Sequence, residues 1–182
     1  DRQVALQNRK FKTPVEHFLY IHHLMPNAKL NFASLFDYLN IELYYTDLPR
    51  KVIATAVKED NKLCIELSNS IRDDDKTSKL AAAYLLGYDY FKEQEIKNYK
   101  RHIKENPEKE VANIYGKEFS ENLTPDEREE ILKIECESKN DYEFLLKKDF
   151  MKEQPNESFA PKQCRWFAKE LVNKDYYADY EM

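Results

Sequence analysis

Apolar residues recur at spacings of three and four along most of the chain, which is the period of amphipathic helices. Two helix starts share one signature, because the segments 13–16 and 124–127 each place a capping Thr before a Pro and a Glu at the third helical position. The pattern predicts helices over Val15–Met25, Asn31–Asn40, Lys76–Tyr99, Glu108–Phe119, Thr124–Cys136, Tyr142–Met151 and Pro161–Asn173.

Three short extended segments follow the second helix: Ile41–Tyr45, Val52–Val57 and Leu63–Leu67. The last two flank a polar turn, which is typical of a β-hairpin. The order of elements predicts an α+β fold that is mostly helical, with a small antiparallel sheet of about three strands. We expect residues 1–122 to form the α+β core. Residues 123–182 would form a C-terminal helical extension, either separate or part of the same domain.

Composition narrows the possible functions. The chain has 182 residues and a net charge of -5, which argues against nucleic-acid binding over its whole surface. It contains two glycines, Gly87 and Gly116, too few for a glycine-rich phosphate loop or a dinucleotide fingerprint. We therefore expect no nucleotide cofactor.

The cysteines and the apolar runs bear on the cellular compartment. Cys64, Cys136 and Cys164 are far apart and form no CxxC pair, so free thiols in a reducing compartment are expected. No apolar stretch follows Asp1, and the run Leu80–Tyr88 is too short to cross a bilayer. These features predict a cytoplasmic protein that does not span a membrane.

A strand-and-hairpin zone at 41–69, the stretch Ala-Tyr-Leu-Leu-Gly-Tyr-Asp at 83–89 and an Ala-Asn element at 111–116 follow one another in an order that resembles the ImmA/IrrE family of gluzincin-like metallopeptidases. The zone 41–69 resembles the family's strand and hairpin before the zinc helix. The stretch 83–89, Ala-Tyr-Leu-Leu-Gly-Tyr-Asp, corresponds to the family's zinc-helix core, Ala-His-Glu-Leu-Gly-His-aromatic. The segment 111–116 resembles the later Ala-Asn element. The resemblance implies a zincin-like core over roughly half the chain.

The residues that would bind zinc in that family are replaced here. Tyr84 and Tyr88 occupy the two His positions, and Leu85 occupies the position of the catalytic Glu. A phenol titrates near pH ~10 and is a poor zinc ligand, and a leucine cannot act as a base. Glu108 and Glu110 flank the expected third ligand, where Lys109 stands. The resemblance therefore implies a non-enzyme without zinc; alternatively, Tyr84 and Tyr88 belong to an ordinary core stripe.

Other catalytic or metal-binding patterns are weak. His17, His22, His23 and His102 contain no HxxxH spacing, and half-buried or surface histidines are the simpler interpretation. No local signature pairs a nucleophilic Ser or Cys with a base. We predict no catalytic residue, no metal and no cofactor.

Candidate partner-binding residues fall into three groups, each with a simpler structural alternative. The acidic run before the third helix can be a solvated helix start, the aromatic and basic segment can be ordinary amphipathic helices, and the Tyr/Asp tail can be a frayed end. The candidates are Asp73, Asp74, Asp75, Lys148, Arg165, Trp166, Asp175, Tyr176, Tyr177, Asp179 and Tyr180.

These features favour a non-catalytic interaction protein of a phage or mobile element that binds a regulator or a host protein. The alternative is an inhibitor of a host defence nuclease, of the anti-CRISPR or anti-restriction kind, which uses an acidic surface that mimics nucleic acid. In both hypotheses the partner is a protein, and nucleic acid is contacted only through that partner or not at all.

Overall fold

Helices and a single four-stranded sheet make up the part of the chain that the computed structural model describes, residues 11–176. This confirms the predicted α+β class. The elements are α1 (Pro14–Ile21), α2 (Phe32–Tyr38), β1 (Glu42–Thr46), β2 (Val52–Glu59), β3 (Lys62–Ser68), α3 (Asp75–Glu105), α4 (Pro107–Tyr115), α5 (Lys117–Glu121), α6 (Pro125–Asn140), β4 (Tyr142–Lys147) and α7 (Phe159–Asn173).

Both helix starts that the sequence marks are present. The side-chain oxygen of Thr13 accepts a hydrogen bond from the Glu16 amide at the start of α1. Thr124 and Glu127 form a complete capping box at the start of α6. The predicted helix 108–119 is instead two helices, because Gly116 adopts a φ of 103°, a left-handed conformation that ends α4.

The sheet has the strand order β1-β3-β2-β4. Strands β2 and β3 form the predicted antiparallel hairpin, turning through Asp60 and Asn61, whose φ angles of 51° and 64° suit a two-residue loop. Strand β1 runs parallel to β3, so the sheet is mixed rather than antiparallel as predicted. The sheet also has four strands rather than three. Two parallel neighbours cannot be joined by a hairpin, and here the chain passes through β2 on its way from β1 to β3.

The fourth strand is the main departure from the sequence prediction. The helix predicted over 142–151 is wrong, because residues 142–147 form β4 and pair antiparallel with β2. Tyr142 lies opposite Lys58 and Phe144 opposite Ala56, on the face that packs against the helices. Both β4 and α7, from the region predicted as a helical extension, contribute residues to the main core.

Helix α3 connects the core to a second group of helices. Its first half is buried and packs against the sheet and α7. Its second half reaches α4 and α6. The approach to α7 is close, since a Cβ atom built on Gly87 would lie 2.8 Å from Cδ1 of Phe167. A glycine is therefore required where the two helices meet.

Gly87→Ala is expected to destabilise the protein by about 1–3 kcal/mol, because the added methyl overpacks the α3–α7 contact. The loss should occur although Ala is intrinsically the better helix former. Urea unfolding followed by circular dichroism measures it. In the double variant with Phe167→Leu the Gly87→Ala substitution should cost less than it does alone, and equal costs in both backgrounds would contradict the close contact.

Candidate functional site

The three positions of the zinc-helix resemblance lie in the packed interior of α3. Leu85 is fully buried, and Tyr84 is 5% exposed with its ring edge against Phe150. Tyr88 is half-buried and stacks on Phe144 at 4.2 Å between ring centroids. Burial raises the pKa of Tyr84 to about 12, so its phenol stays protonated. These side chains pack against β4 and the segment after it.

The most chemically distinctive cluster surrounds Lys58, an inward-facing lysine near the end of β2. Its side chain is 4% exposed, and its Nζ donates to Oδ1 of Asp89 at 2.9 Å and to Oε1 of Glu93 at 2.7 Å. The Tyr142 hydroxyl donates to the same Asp89 oxygen at 2.7 Å. One cation, two carboxylates and a phenol thus tie β2 and β4 to α3.

The protonation states of this cluster follow from burial and pairing. Burial lowers the pKa of Lys58, but its hydrogen bonds to Glu93 and Asp89 outweigh burial and leave that pKa raised. Burial raises the pKa of Asp89, and the Lys58 ammonium offsets only part of the effect. Because Lys58 stays protonated, it cannot serve as a nucleophile or base at neutral pH. The cluster therefore fastens the sheet to α3.

A small cleft of about 160 Å³ borders this cluster, and Asn61, Tyr90 and His22 contribute to its lining. Deeper in the core, Nδ1 of His17 lies 2.6 Å from the Tyr90 hydroxyl. His17 is 8% exposed, and burial, followed by the nearby charge of Lys97, lowers its pKa. A neutral imidazole with one hydrogen-bond partner is suited to a structural role.

A much larger groove, of about 1090 Å³, lies where α3 leaves the sheet. The end of α3, together with α4, α5 and α6, forms its walls. Ile103, Ala112 and the buried Leu132 and Cys136 are among its apolar lining residues. An open apolar groove of this size among helices is a typical place for a ligand or a partner to bind.

Basic side chains outnumber acidic ones around this groove. Its lining includes six basic residues and four glutamates, in a chain whose net charge is -5. Within residues 11–176, no ion pair engages the four lysines Lys100, Lys104, Lys109 and Lys133. Arg128, by contrast, donates to the carbonyl oxygens of Ser120 and Leu123 and so fixes α6 against α5. Three of the four glutamates are likewise without an ion pair within residues 11–176, so six basic and four acidic side chains leave the lining with a net charge of +2 beside apolar surface.

The acidic run predicted to bind a partner begins α3. Asp74 caps the helix, and its carboxylate accepts hydrogen bonds from the amide and hydroxyl of Thr77. These bonds lower the pKa of Asp74. Asp73 and Asp75 are exposed, and Asp75 pairs with Lys79 at 3.2 Å. Asp74 thus has a local structural role, whereas Asp73 and Asp75 face solvent.

The aromatic and basic candidates divide between interior and surface. Arg165 is 7% exposed and forms a two-pronged ion pair with Glu157, so it is not available to a partner in this structure. Trp166 is 57% exposed and packs edge-on against Phe159, which is also exposed. Lys148 is exposed at the end of β4.

Asp175 was predicted to be part of an acidic, tyrosine-rich tail, but it is 1% exposed. Its carboxylate accepts from the amide of Phe32 at 3.2 Å and from Nζ of Lys79 at 2.9 Å, which fixes the start of α2. Tyr176 is exposed. The remaining predicted tail residues, Tyr177, Asp179 and Tyr180, lie outside the described residues.

The sequence patterns marked no groove lysine and no member of the Lys58 cluster for these roles, and Lys109 entered only as the residue at the expected third zinc-ligand position. Ala54, Ala56 and Lys58 lie two residues apart along β2 and therefore face inward together. This period of two was the signal in the sequence for a buried lysine. The groove had no comparable signal, because its existence depends on the spacing between helices. Among residues 11–176, no three His, Cys, Asp or Glu side chains are grouped to hold a metal ion.

Comparison with known proteins assigns no family to this chain. No protein-family model, curated protein or solved structure matches it. The ImmA/IrrE-like resemblance therefore rests on the three motif segments and stays a prediction. Within the described residues, no helix combines the length and apolar character that crossing a bilayer requires.

Lys58→Met is expected to lower the free energy of unfolding by about 3–5 kcal/mol, because it leaves the Asp89 carboxylate buried without a cation. Urea denaturation followed by circular dichroism measures the loss. Lys62→Met, an exposed lysine in the same hairpin, is the matched control and should change stability by at most about 0.5 kcal/mol. Similar small losses in both variants would contradict a fastening role for Lys58.

The free energy of unfolding should fall as the pH is lowered from 7 towards 5. The folded state lowers the pKa of His17 below its ordinary value of 6.5, so protons bind preferentially to the unfolded chain in this range. His17→Asn, which keeps an acceptor near Tyr90, should show a shallower dependence when unfolding is measured across this range. If the free energy of unfolding of the variant changes with pH as steeply as that of the wild type, His17 does not contribute to the pH dependence.

Proposed function

We propose that this chain is a non-catalytic binding protein that acts by holding a regulator or a host protein in the groove lined by α3–α6. One observation carries this proposal: an apolar groove of about 1090 Å³ is bordered by lysines that have no ion-pair partner within residues 11–176. Such a surface is costly to leave open and suits a partner with apolar and acidic groups.

The placement of the zinc-helix positions supports a role without catalysis. Leu85 is fully buried, and Tyr84 and Tyr88 pack against aromatic rings of the core. If the chain descends from an ImmA/IrrE-like peptidase of a phage or mobile element, it retains the scaffold and acts by binding. The cluster around Lys58 fits the same proposal, because its charges are paired and hold the fold together.

The nuclease-inhibitor alternative has less support from the described surface. Asp175 is buried and paired with Lys79, so of the acidic candidates predicted for a mimic only Asp73, Asp75 and those after residue 176 are left besides the helix cap Asp74. The experiment for the main proposal also distinguishes this alternative, because the identity of the captured partner differs between the two.

Affinity capture with the full chain from nuclease-treated host lysate, followed by reconstitution from purified components, tests the proposal. We expect a regulator or another host protein that binds in fixed stoichiometry and keeps its intact mass over hours of incubation. A DNA-cleaving or nucleic-acid-guided enzyme as the partner would instead support the inhibitor role. Cleavage of the partner, abolished by a chelator and accompanied by stoichiometric zinc, would overturn the proposal.

A further inference from the structure

One wall of the groove has the pattern of a helix that packs against another helix. Six residues of α6 line it, at successive spacings of three and one: Pro125, Arg128, Glu129, Leu132, Lys133 and Cys136. These spacings define a single face of a helix. The stripe covers eleven residue steps, or about 16 Å along the axis. Leu132 and Cys136 are buried where α6 packs against α3 and α4, whereas Pro125, Glu129 and Lys133 of the same stripe are exposed along the groove.

The charges of the lining lysines set the chemistry of the occupant. Lys100 and Lys104 are four residues apart on α3, so they project from the same side of that helix. Lys133 stands on α6, which contacts α3, and lines the same groove. All three are exposed and have no ion pair within residues 11–176. A partner in the groove would therefore meet ammonium groups from both α3 and α6.

We propose that the groove binds an amphipathic helix of a protein partner, about three turns long, with an apolar face flanked by Asp and Glu. This inference rests on the proposed binding function and names the partner surface. The apolar face would cover the partly exposed Ile103 and Ala112, and the acidic side chains would pair with the lysines of α3 and α6. Helix-in-groove recognition supplies apolar burial, and the charges set orientation and association rate.

Selection from a random 16-residue peptide library, displayed on phage and panned against the full chain, tests the proposal. We expect enrichment of sequences with apolar residues at spacings of three and four and with flanking Asp or Glu. A synthetic representative should become helical on binding, as measured by circular dichroism. Its affinity should fall as salt is raised, because salt screens the lysine contacts.

A pair of variants locates the binding site. Lys104→Glu with Lys133→Glu reverses one charge on α3 and one on α6 and should weaken the selected peptide at least tenfold by fluorescence anisotropy. The matched control, Lys147→Glu with Lys169→Glu, also reverses two exposed lysines but lies outside the groove and should bind as the wild type does. Both variants should keep the circular dichroism spectrum and urea midpoint close to those of the wild type.

Several outcomes would overturn this inference. Enrichment of basic or extended peptides, no enrichment above an empty-resin control, or equal binding to both variants would each reject the acidic helix. Light scattering that shows a wild-type dimer and a monomeric groove variant would identify a second copy of the chain as the occupant. Binding of single-stranded DNA that competes with the peptide would identify a nucleic acid.

Failure of the helix-in-groove inference can be distinguished from failure of the proposed function. If the native partner binds the groove variant more weakly than the wild type but the library yields no acidic helices, the proposed function stands and the helix-in-groove inference falls. If no native protein partner is captured but acidic helices bind the groove selectively, the inference stands and the proposed function falls.

Discussion

The packing of α3 between the sheet and α7 is the contact on which the remaining structure depends. Three consecutive alanines, 81–83, and Gly87 keep the buried half of α3 narrow, so that α7 can approach its backbone. Phe167 fills the space above Gly87. Small residues in a helix contribute little apolar area themselves, but they allow larger neighbours to pack densely. The sheet is then joined to this helix pair by the buried charges of Lys58 and Asp89.

The two halves of the long helix α3 differ in how completely neighbouring elements cover them. The half before Tyr90 is enclosed by β-strands and α7, whereas the half that ends at Glu105 is covered only in part by α4 and α6. Short helices connected by Gly116 cannot enclose a long one completely. The groove is thus a consequence of how much helix continues after the sheet ends.

Local signals predicted the helix starts and the β2–β3 hairpin, because a capping Thr or a turn acts on its immediate neighbours. Strand β4 was predicted as a helix because Leu145, on the outer face, makes Phe144, Leu145 and Leu146 a continuous apolar run. The run lacks the apolar-polar alternation that is typical of a strand. Its pairing with β2 is also distant in sequence. Lys58 directly follows the predicted strand Val52–Val57 and fell in the polar turn predicted after it, because charged residues beside other polar residues usually lie in turns. The candidate groove depends on the separation of helices, which composition and periodicity do not encode.

The late position of β4 has a consequence for synthesis of the protein. Strand β2 becomes an internal strand only when residues 142–147 pair with it, roughly ninety positions after β2 begins. Until the ribosome has released that segment, one edge of β2 has no strand to pair with, and such an edge can join the wrong chain. Chains stalled before residue 142 would therefore be the aggregation-prone products, and a chaperone that shields nascent strands would act during this interval.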